Sequence, residues 1–530
     1  MLPAAVAVGE APAPASAGEI LYRHGLLPSG EPVLATRDSG ATLHGPDAAC
    51  VNCHRRSGLG SSEGRIAIPP IAGPYLFTAR GKSLEEQGAP FVDTERINHE
   101  AHTEESLARA IREGLGSNGK PLNYLMPRYR LDDTTMADLI GYLKGLQVAP
   151  APGVSARELH FATIITPDAD PVKRRGMLDV MNQYFLDKNN AVARTKAPTL
   201  YSPHVMMFRV ERRWKLHAWE LSGAPETWQE QLRQHLRAEP VFAVISGLGG
   251  STWGPVQKFC EQESLPCLFP NVEAPSGRDT DFYSVYFSRG VLLEAQLIAR
   301  QLTDADATAR PKRIVQVFRA GDVGETAASA LQAARDPSGP PVVNRVLKRH
   351  ATATALMGAL REVKPDDALV LWLRSEDLRA LSQAPAPAYR VWISGEMAGL
   401  EQAPLPPAWR AATRMAYPVD LPGQRVVRVD YALSWFRIRK IPVVAQQVQV
   451  DTYLACGLLS ETLNHIVDAF VRDYLVERIE MALDHRVLTG YYPHLSLAPG
   501  QRFASKGGYV VRFTEPQGTH VAALGDWVTP

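Results

Sequence analysis

From residue 159 onward, short continuous apolar runs alternate with helix-length amphipathic stretches, and few folds accommodate that order. The runs "LHFATIITP", "WKLHAWELSG", "VFAVISGLG" and "PCLFPNV" are separated by "KRRGMLDVMNQYFLDKNN", "APETWQEQLRQHLRAE" and "STWGPVQKFCEQE". A second series begins at "RIVQVFRA" and continues through "PVVNRVL", "DALVLWL" and "YRVWISG", again with helical stretches between. Strands that are apolar on both faces need cover on both faces, which predicts parallel sheets sandwiched by helices. Two series of similar length predict two lobes. The chain has 530 residues, too many for one domain, and the first 158 follow a different pattern.

That first part carries "PDAACVNCHRRSGLG", with Cys50, Cys53 and His54 in a chain of only five cysteines. A redox dithiol uses two thiols so spaced but needs no adjacent histidine. A structural zinc site needs four ligands, and Cys260, Cys267 and Cys456 form no second pair of that spacing. The remaining chemistry is covalent haem attachment. Two thioethers hold the ring, and the next residue's imidazole ligates the iron. Iron then wants a sixth ligand, and Met126, followed by Pro127 in "LNYLMPRYRL", is the candidate. Its loop lies between two expected helices. One, around residues 103–115, has Thr103 as N-cap and Leu107, Ile111 and Leu115 on one face. The other, around residues 132–146, has Met136, Leu139, Ile140 and Leu143 on one stripe.

With these elements in place, residues 17–147 resemble an all-α class I c-type cytochrome. The likeness rests on Cys50, Cys53, His54, the "IPPIAG" segment, the Met126-Pro127 pair and the closing "LIGYLKGL". It implies one haem c, attached through Cys50 and Cys53 and ligated axially by His54 and Met126. It also implies that the carbonyl of Pro69 or Pro70 receives the proximal imidazole N–H. A polar stretch at 81–100 departs from the family pattern. Residues 148–158, rich in Pro and Ala, read as a linker. Residues 159–530 resemble the type I periplasmic solute-binding proteins of the branched-chain amino acid kind, a two-lobed α/β fold. In that family the lobes close on a small ligand at the carboxyl ends of the strands.

The strand-end loops are therefore where ligand chemistry is sought. "GLGGSTWGP" places Ser251 and Thr252 at a helix N-terminus, suited either to an anionic ligand group or to plain capping. Trp253, in the same ligand-side loop, is the best of the aromatics as a ligand contact. Glu273, in "FPNVEAP", follows the next strand, where amino-acid binders usually carry a small hydroxyl or apolar residue. Asp322 and Glu396 follow strands of the second series and read as loop carboxylates, and Tyr283 and Tyr286 read as core. Cys260 and Cys267 flank a turn and could form a bridge, whereas Cys456 reads as a buried small hydrophobe.

Charge is nearly balanced, 57 basic against 56 acidic residues, which argues against nucleic acid as a partner. No apolar run approaches the roughly 18 residues of a membrane span. Covalent haem implies export to the periplasm, yet "MLPAAVAVGEAPAPASAGE" lacks a basic n-region, so the signal is expected to be truncated or replaced. Residues 1–16 read as a disordered lead-in. The expected function is electron transfer by a non-enzymatic periplasmic cytochrome whose second half binds a small polar or anionic ligand or docks a redox partner. The alternative is a solute receptor of the ABC-transporter type with the haem as redox sensor or reporter. Met126→Ala should abolish the sulfur-to-iron charge-transfer absorption of the oxidised protein and lower its midpoint potential. If the wild type already lacks that band, Met126 is not the ligand.

Overall fold

The computed structural model describes residues 15–64, 66–78, 100–146, 150–194, 212–278, 281–303, 310–385, 387, 390–466, 469–498 and 500–530. Most of the lead-in at 1–16, most of the polar stretch at 81–100 and the start of the 148–158 linker lie outside them. The chain divides into two compact units. The first is Met1–Arg157 with Thr195–Arg212 and Glu461–Ile479; the second is Glu158–Arg194, Arg213–Ser460 and Glu480–Pro530. The first unit thus takes in Glu461–Ile479, which the sequence pattern assigns to the binding-protein half. It does so because this late stretch bonds to early ones. Glu477 accepts from Ser57, Asp473 pairs with Arg56, and the Phe470 carbonyl accepts from the Ala151 amide.

Three helices frame the first unit. Ala17–His24 starts at the Ser16 cap and stops at left-handed Gly25. Glu104–Glu113 opens with a reciprocal Thr103–Ser106 capping box and ends at left-handed Gly114, so Leu115 falls beyond it. Asp133–Gly145 is capped by Asp132. Leu21, Tyr22, Leu107, Ile111, Leu139 and Leu143 meet in one buried cluster. The first and last helices cross at Gly18, where a Cβ would come within 2.1 Å of the Asp138 carbonyl oxygen and 2.9 Å of the Tyr142 Cβ. The unit is not all-α. Leu34–Thr36 pairs antiparallel with Thr42–His44 and with Arg128–Tyr129, and Ser61–Glu63 pairs with Ile66–Ile68. The first hairpin turns at "RDSG", where Gly40 has φ +82° and its amide donates to the Arg37 carbonyl.

The second unit contains two sheets. One is wholly parallel, in the order Ser284–Val285, Cys267–Leu268, Ala243–Ile245, Glu158–Ile165 and Arg213–Glu220. The other runs Val342–Leu347, Ile314–Arg319, Ala368–Trp372, Arg390–Ser394 and Thr413–Tyr417, all parallel, then Tyr509–Phe513 and Val521–Ala523 antiparallel at one edge. Helices Val291–Thr303 and Pro422–Ile438 and strand Thr413–Tyr417 complete the lobes beyond what the pattern predicted. Cys260 and Cys267 are both buried and are not joined by a disulfide. The basic stretch "HLSLAPGQRFASKGGY" has a structural role. Buried Arg502 pairs with Glu480 at 2.6 Å and donates to the Phe282 carbonyl, and the Lys506 ammonium donates to the Ser496 carbonyl.

The Gly18 crossing predicts that Gly18→Val lowers stability by about 1–3 kcal/mol, because backbone rather than a flexible side chain meets the new atoms. Thermal unfolding of the variant checks it, and an unchanged Tm would mean the helices can part without loss.

Candidate functional site

In the first unit a cavity of about 470 Å³ opens beside the short helix Val51–His54. Cys50, Cys53, His54, Pro69, Pro70 and Met126 all line it, among mostly apolar neighbours. Of the two prolines, Pro69 supplies the orienting carbonyl, 3.1 Å from His54 Nδ1. That leaves Nε2 as the imidazole nitrogen available to a metal. Burial depresses the His54 pKa to about 4, although the Pro69 carbonyl opposes the shift. The ring is therefore neutral at physiological pH, the form a metal requires.

The thiols behave differently from a redox pair. Burial pushes Cys50 up to about 11 and raises Cys53 as well. A dithiol centre needs a thiolate, hence a lowered pKa, so this environment disfavours that chemistry. Among the described residues no group of three or more His, Cys, Asp or Glu side chains could hold a bare metal ion. A metal carried inside a ring needs only two protein donors, and His54 and Met126 could provide them.

In the second unit the carboxyl ends of both sheets converge on a charged cluster. Asp170 caps the helix Pro171–Arg194 by accepting from the Val172 and Lys173 amides, which places the Lys173 side chain at the first turn. Its ammonium donates to Glu273 at 2.8 Å. Arg374, just past strand Ala368–Trp372, meets Glu273 at 2.9 Å and Asp322 at 2.6 Å. Burial alone would raise the Glu273 pKa, but Lys173 and Arg374 outweigh it and bring it down to about 2.

Nearby, Glu396 is pushed up to about 7 by burial and by the charge on Glu273, against the pull of Lys173. Asp451, on helix Gln446–Ile466, is raised well above the carboxylate range by burial and by Glu396. Its Oδ2 accepts from the Tyr492 hydroxyl at 3.2 Å, and its buried Oδ1 has no hydrogen-bond partner. Asn271, Ser246 and Thr452 bond to one another at 2.9 and 3.0 Å.

This arrangement corrects the reading of "GLGGSTWGP". The turn does receive an anionic group, but it is the chain's own. Asp168 accepts from the Ser251 amide at 2.7 Å and from its hydroxyl at 2.6 Å. Trp253 is 1% exposed and belongs to the core of the first lobe, its indole seated against Gly247 and Gly249. Thr252 is half-buried. Glu273 does lie at the strand ends, already matched by two cations of the protein. Lys173, Arg374, Asp451 and Tyr492 were not foreseen. Arg374 follows its strand in "LWLR" as directly as Glu396 follows "VWIS", so position alone could have found it.

The comparisons agree with this architecture. The chain resembles a fatty acid ABC transporter substrate-binding protein from Thermomonospora curvata (15% identity, TM-score 0.51, covering 72% of this chain and 95% of that one). It also resembles a substrate-binding periplasmic protein from Ralstonia solanacearum (14%, 0.51, 69% and 99%). A third is the branched-chain amino acid transporter substrate-binding protein from Streptococcus pneumoniae, solved in complex with isoleucine (10%, 0.51, 71% and 100%). Over about seven-tenths of the chain the fold is like that of these proteins. At these identities the likeness is one of fold alone. No family model and no curated protein matches the chain. Among the described residues no helix is long and apolar enough to cross a membrane.

The carboxyls of this binding-protein fold predict a pH dependence. Glu273, with a depressed pKa, stabilises the fold above about 4.5 and loses that contribution as pH falls toward 2. Glu396, with a raised pKa, holds its proton in the folded state, so its contribution falls as pH rises from about 4.5 through 7. The Tm should therefore be highest near pH 5 and decline toward pH 8, and Glu396→Gln should flatten the decline. Equal slopes in wild type and variant would mean other groups govern it. Glu273→Ala should cost about 1–3 kcal/mol. This lies below the fully enclosed case because the Lys173 and Arg374 side chains are 37% and 35% exposed.

Proposed function

We propose that the chain is a solute receptor of the two-lobed periplasmic type that also carries one covalently attached haem c in its first unit. The observation that carries the receptor reading is the polar cluster at the carboxyl ends of both sheets, where such folds take their ligands. Lys173 and Arg374 are already balanced by Glu273 and Asp322, and the Ser251 donors by Asp168. The unmet capacity belongs to Asp451 Oδ1, with the raised Glu396 carboxyl beside it. An anionic ligand is therefore disfavoured. The ligand class that fits is a small polar solute with an ammonium or other donor group, held by Asp451 and Glu396 once it displaces their protons. A transporter permease is the corresponding partner, and the periplasm the corresponding compartment.

The haem reading is supported by the cavity's donor set. Cys50 and Cys53 would form the thioethers, and neutral His54, oriented by the Pro69 carbonyl, together with Met126 would hold the iron. When bound, the group supplies reversible one-electron transfer. The protein's own residues hold the imidazole in one orientation, offer His54 and Met126 as the two donors to the iron, and line the cavity with apolar side chains that would exclude water. With His54 and Met126 both given to the iron, the proposal assigns it no enzymatic reaction.

A second reading is favoured by the same ion pairs. If Glu273, Lys173 and Arg374 hold the strand-end loops shut, the second unit instead docks a periplasmic redox partner and the chain is an electron carrier. A thermal-shift screen of amino acids, amines, amides and organic acids separates the two. A bound ligand stabilises by RT ln(1 + [L]/Kd), about 2.7 kcal/mol at a hundredfold excess over Kd. The receptor reading expects a donor-bearing hit that Asp451→Asn or Glu396→Gln abolishes. Hits indifferent to both variants would move the site, and the absence of hits would favour the carrier.

A further inference from the structure

Glu477 lies outside the cavity yet holds the loop that follows the cavity's imidazole. Its carboxyl accepts from the Ser57 amide at 2.8 Å and from the Ser57 hydroxyl at 2.6 Å. The same hydroxyl oxygen accepts from the Leu59 amide at 3.1 Å. Ser57 stands three residues after His54, in a loop tied to that residue from two directions, through its backbone carbonyl and through the segment that orients its imidazole. The Gly60 amide donates to the His54 carbonyl at 3.2 Å. The Gly58 carbonyl accepts from the Ile71 and Ala72 amides at 2.7 and 3.1 Å, immediately after Pro69, whose own carbonyl meets His54 Nδ1. The start of the loop is strained, since Arg55 has φ +63° and its carbonyl is held by the Tyr22 hydroxyl at 2.7 Å. A displacement at Ser57 therefore reaches both the imidazole and the group that orients it.

The surroundings of Glu477 also bear on its charge. It is 3% exposed. Asp473, one turn earlier on the same helix, is paired with Arg56 at 3.3 Å. Arg55 faces Glu477 from the loop, Tyr22 from the first helix and Tyr474 from its own helix. Burial pushes the Glu477 carboxyl up to about 8, with Asp473 adding to the rise and the two Ser57 bonds opposing it.

We propose that Glu477 is a positioning residue for the haem, holding the His54 loop and setting the potential of the iron through its own charge. This rests on the haem reading given above. Ferric iron in the ring carries one more positive charge than ferrous, so a buried carboxylate favours the oxidised state and its protonated form does not. One-electron reduction is then accompanied by uptake of up to one proton from solvent onto the Glu477 carboxyl, and the potential falls as pH rises through its titration.

The test uses full-length holoprotein: wild type, Glu477→Gln and Ser57→Ala. The potential is measured at an electrode, which supplies the electron, across about pH 6–10. The wild type should show a downward step near pH 8 that Glu477→Gln lacks. The two curves should meet at the acid end and separate at the alkaline end, with the variant higher. In Ser57→Ala the step should move to higher pH, because two bonds to the ionised carboxyl are reduced to one. That variant also serves if Glu477→Gln fails to fold. Curves that coincide, or that differ by the same amount at every pH, would overturn the proposal, as would an unmoved step in Ser57→Ala. Intact mass separates this from the underlying reading. A chain without covalent haem removes both, whereas haem present with coincident curves removes this inference alone.

Discussion

Glu273 sits where the ends of both sheets of the second unit meet, and its pairing with Lys173 and Arg374 is what makes that meeting tolerable. A lone buried carboxylate would be too costly, and the two cations would otherwise repel each other. Together with Asp322 they form a neutral set, two positive and two negative charges, which ties together strand-end loops of both sheets. Gly290 makes a related approach possible. Its φ of +53° lets the chain pass within 2.1 Å of the Glu273 carbonyl oxygen, measured from where a Cβ would stand, and the Val291 amide then donates to that carbonyl at 2.9 Å. The carboxylate is thus held by its side chain and its backbone at once.

The first unit solves a different problem with the same economy of parts. An imidazole that is to meet a metal must be neutral and aimed. Burial supplies the first condition and the Pro69 carbonyl the second. The neighbouring thiols are kept protonated by the same apolar walls. Such thiols are inert toward disulfide exchange but still able to form thioethers when another catalyst activates them. The cavity's chemistry therefore follows from how little polar surface surrounds it.

Local pattern carried most of the fold. Most strands from "LHFATIITP" to "YRVWISG" are legible because buried parallel strands are apolar throughout, the edge strands Arg213–Glu220 and Val342–Leu347 being the exceptions. The grouping of His54 with Cys50 and Cys53 in one cavity is legible because the three are neighbours in the chain. The antiparallel hairpin at 34–44 escaped because its three-residue strands are too short to show alternation, leaving only the "DSG" turn as a signal. Trp253 was misjudged because the glycines of "GLGG" read as a turn for an anion. They are also the gaps into which the indole fits. The ion cluster was hidden for a more basic reason. Lys173 and Glu273 are 100 positions apart, Glu273 and Arg374 another 101, and nothing in a single sequence says that two distant loops will share a charge.

The Ser57–Glu477 contact bears on the order in which the molecule can be made. Two donors on a loop near the amino terminus find their acceptor only after more than 400 further residues have been synthesised. Until then the Ser57 amide and hydroxyl must face water or remain unsatisfied, and Arg56 lacks Asp473. The His54 loop is consequently at its loosest while the chain is still emerging. On the proposed haem reading, that is the interval in which the thiols of Cys50 and Cys53 would be most open to attachment, before the Glu477 contact fixes the loop.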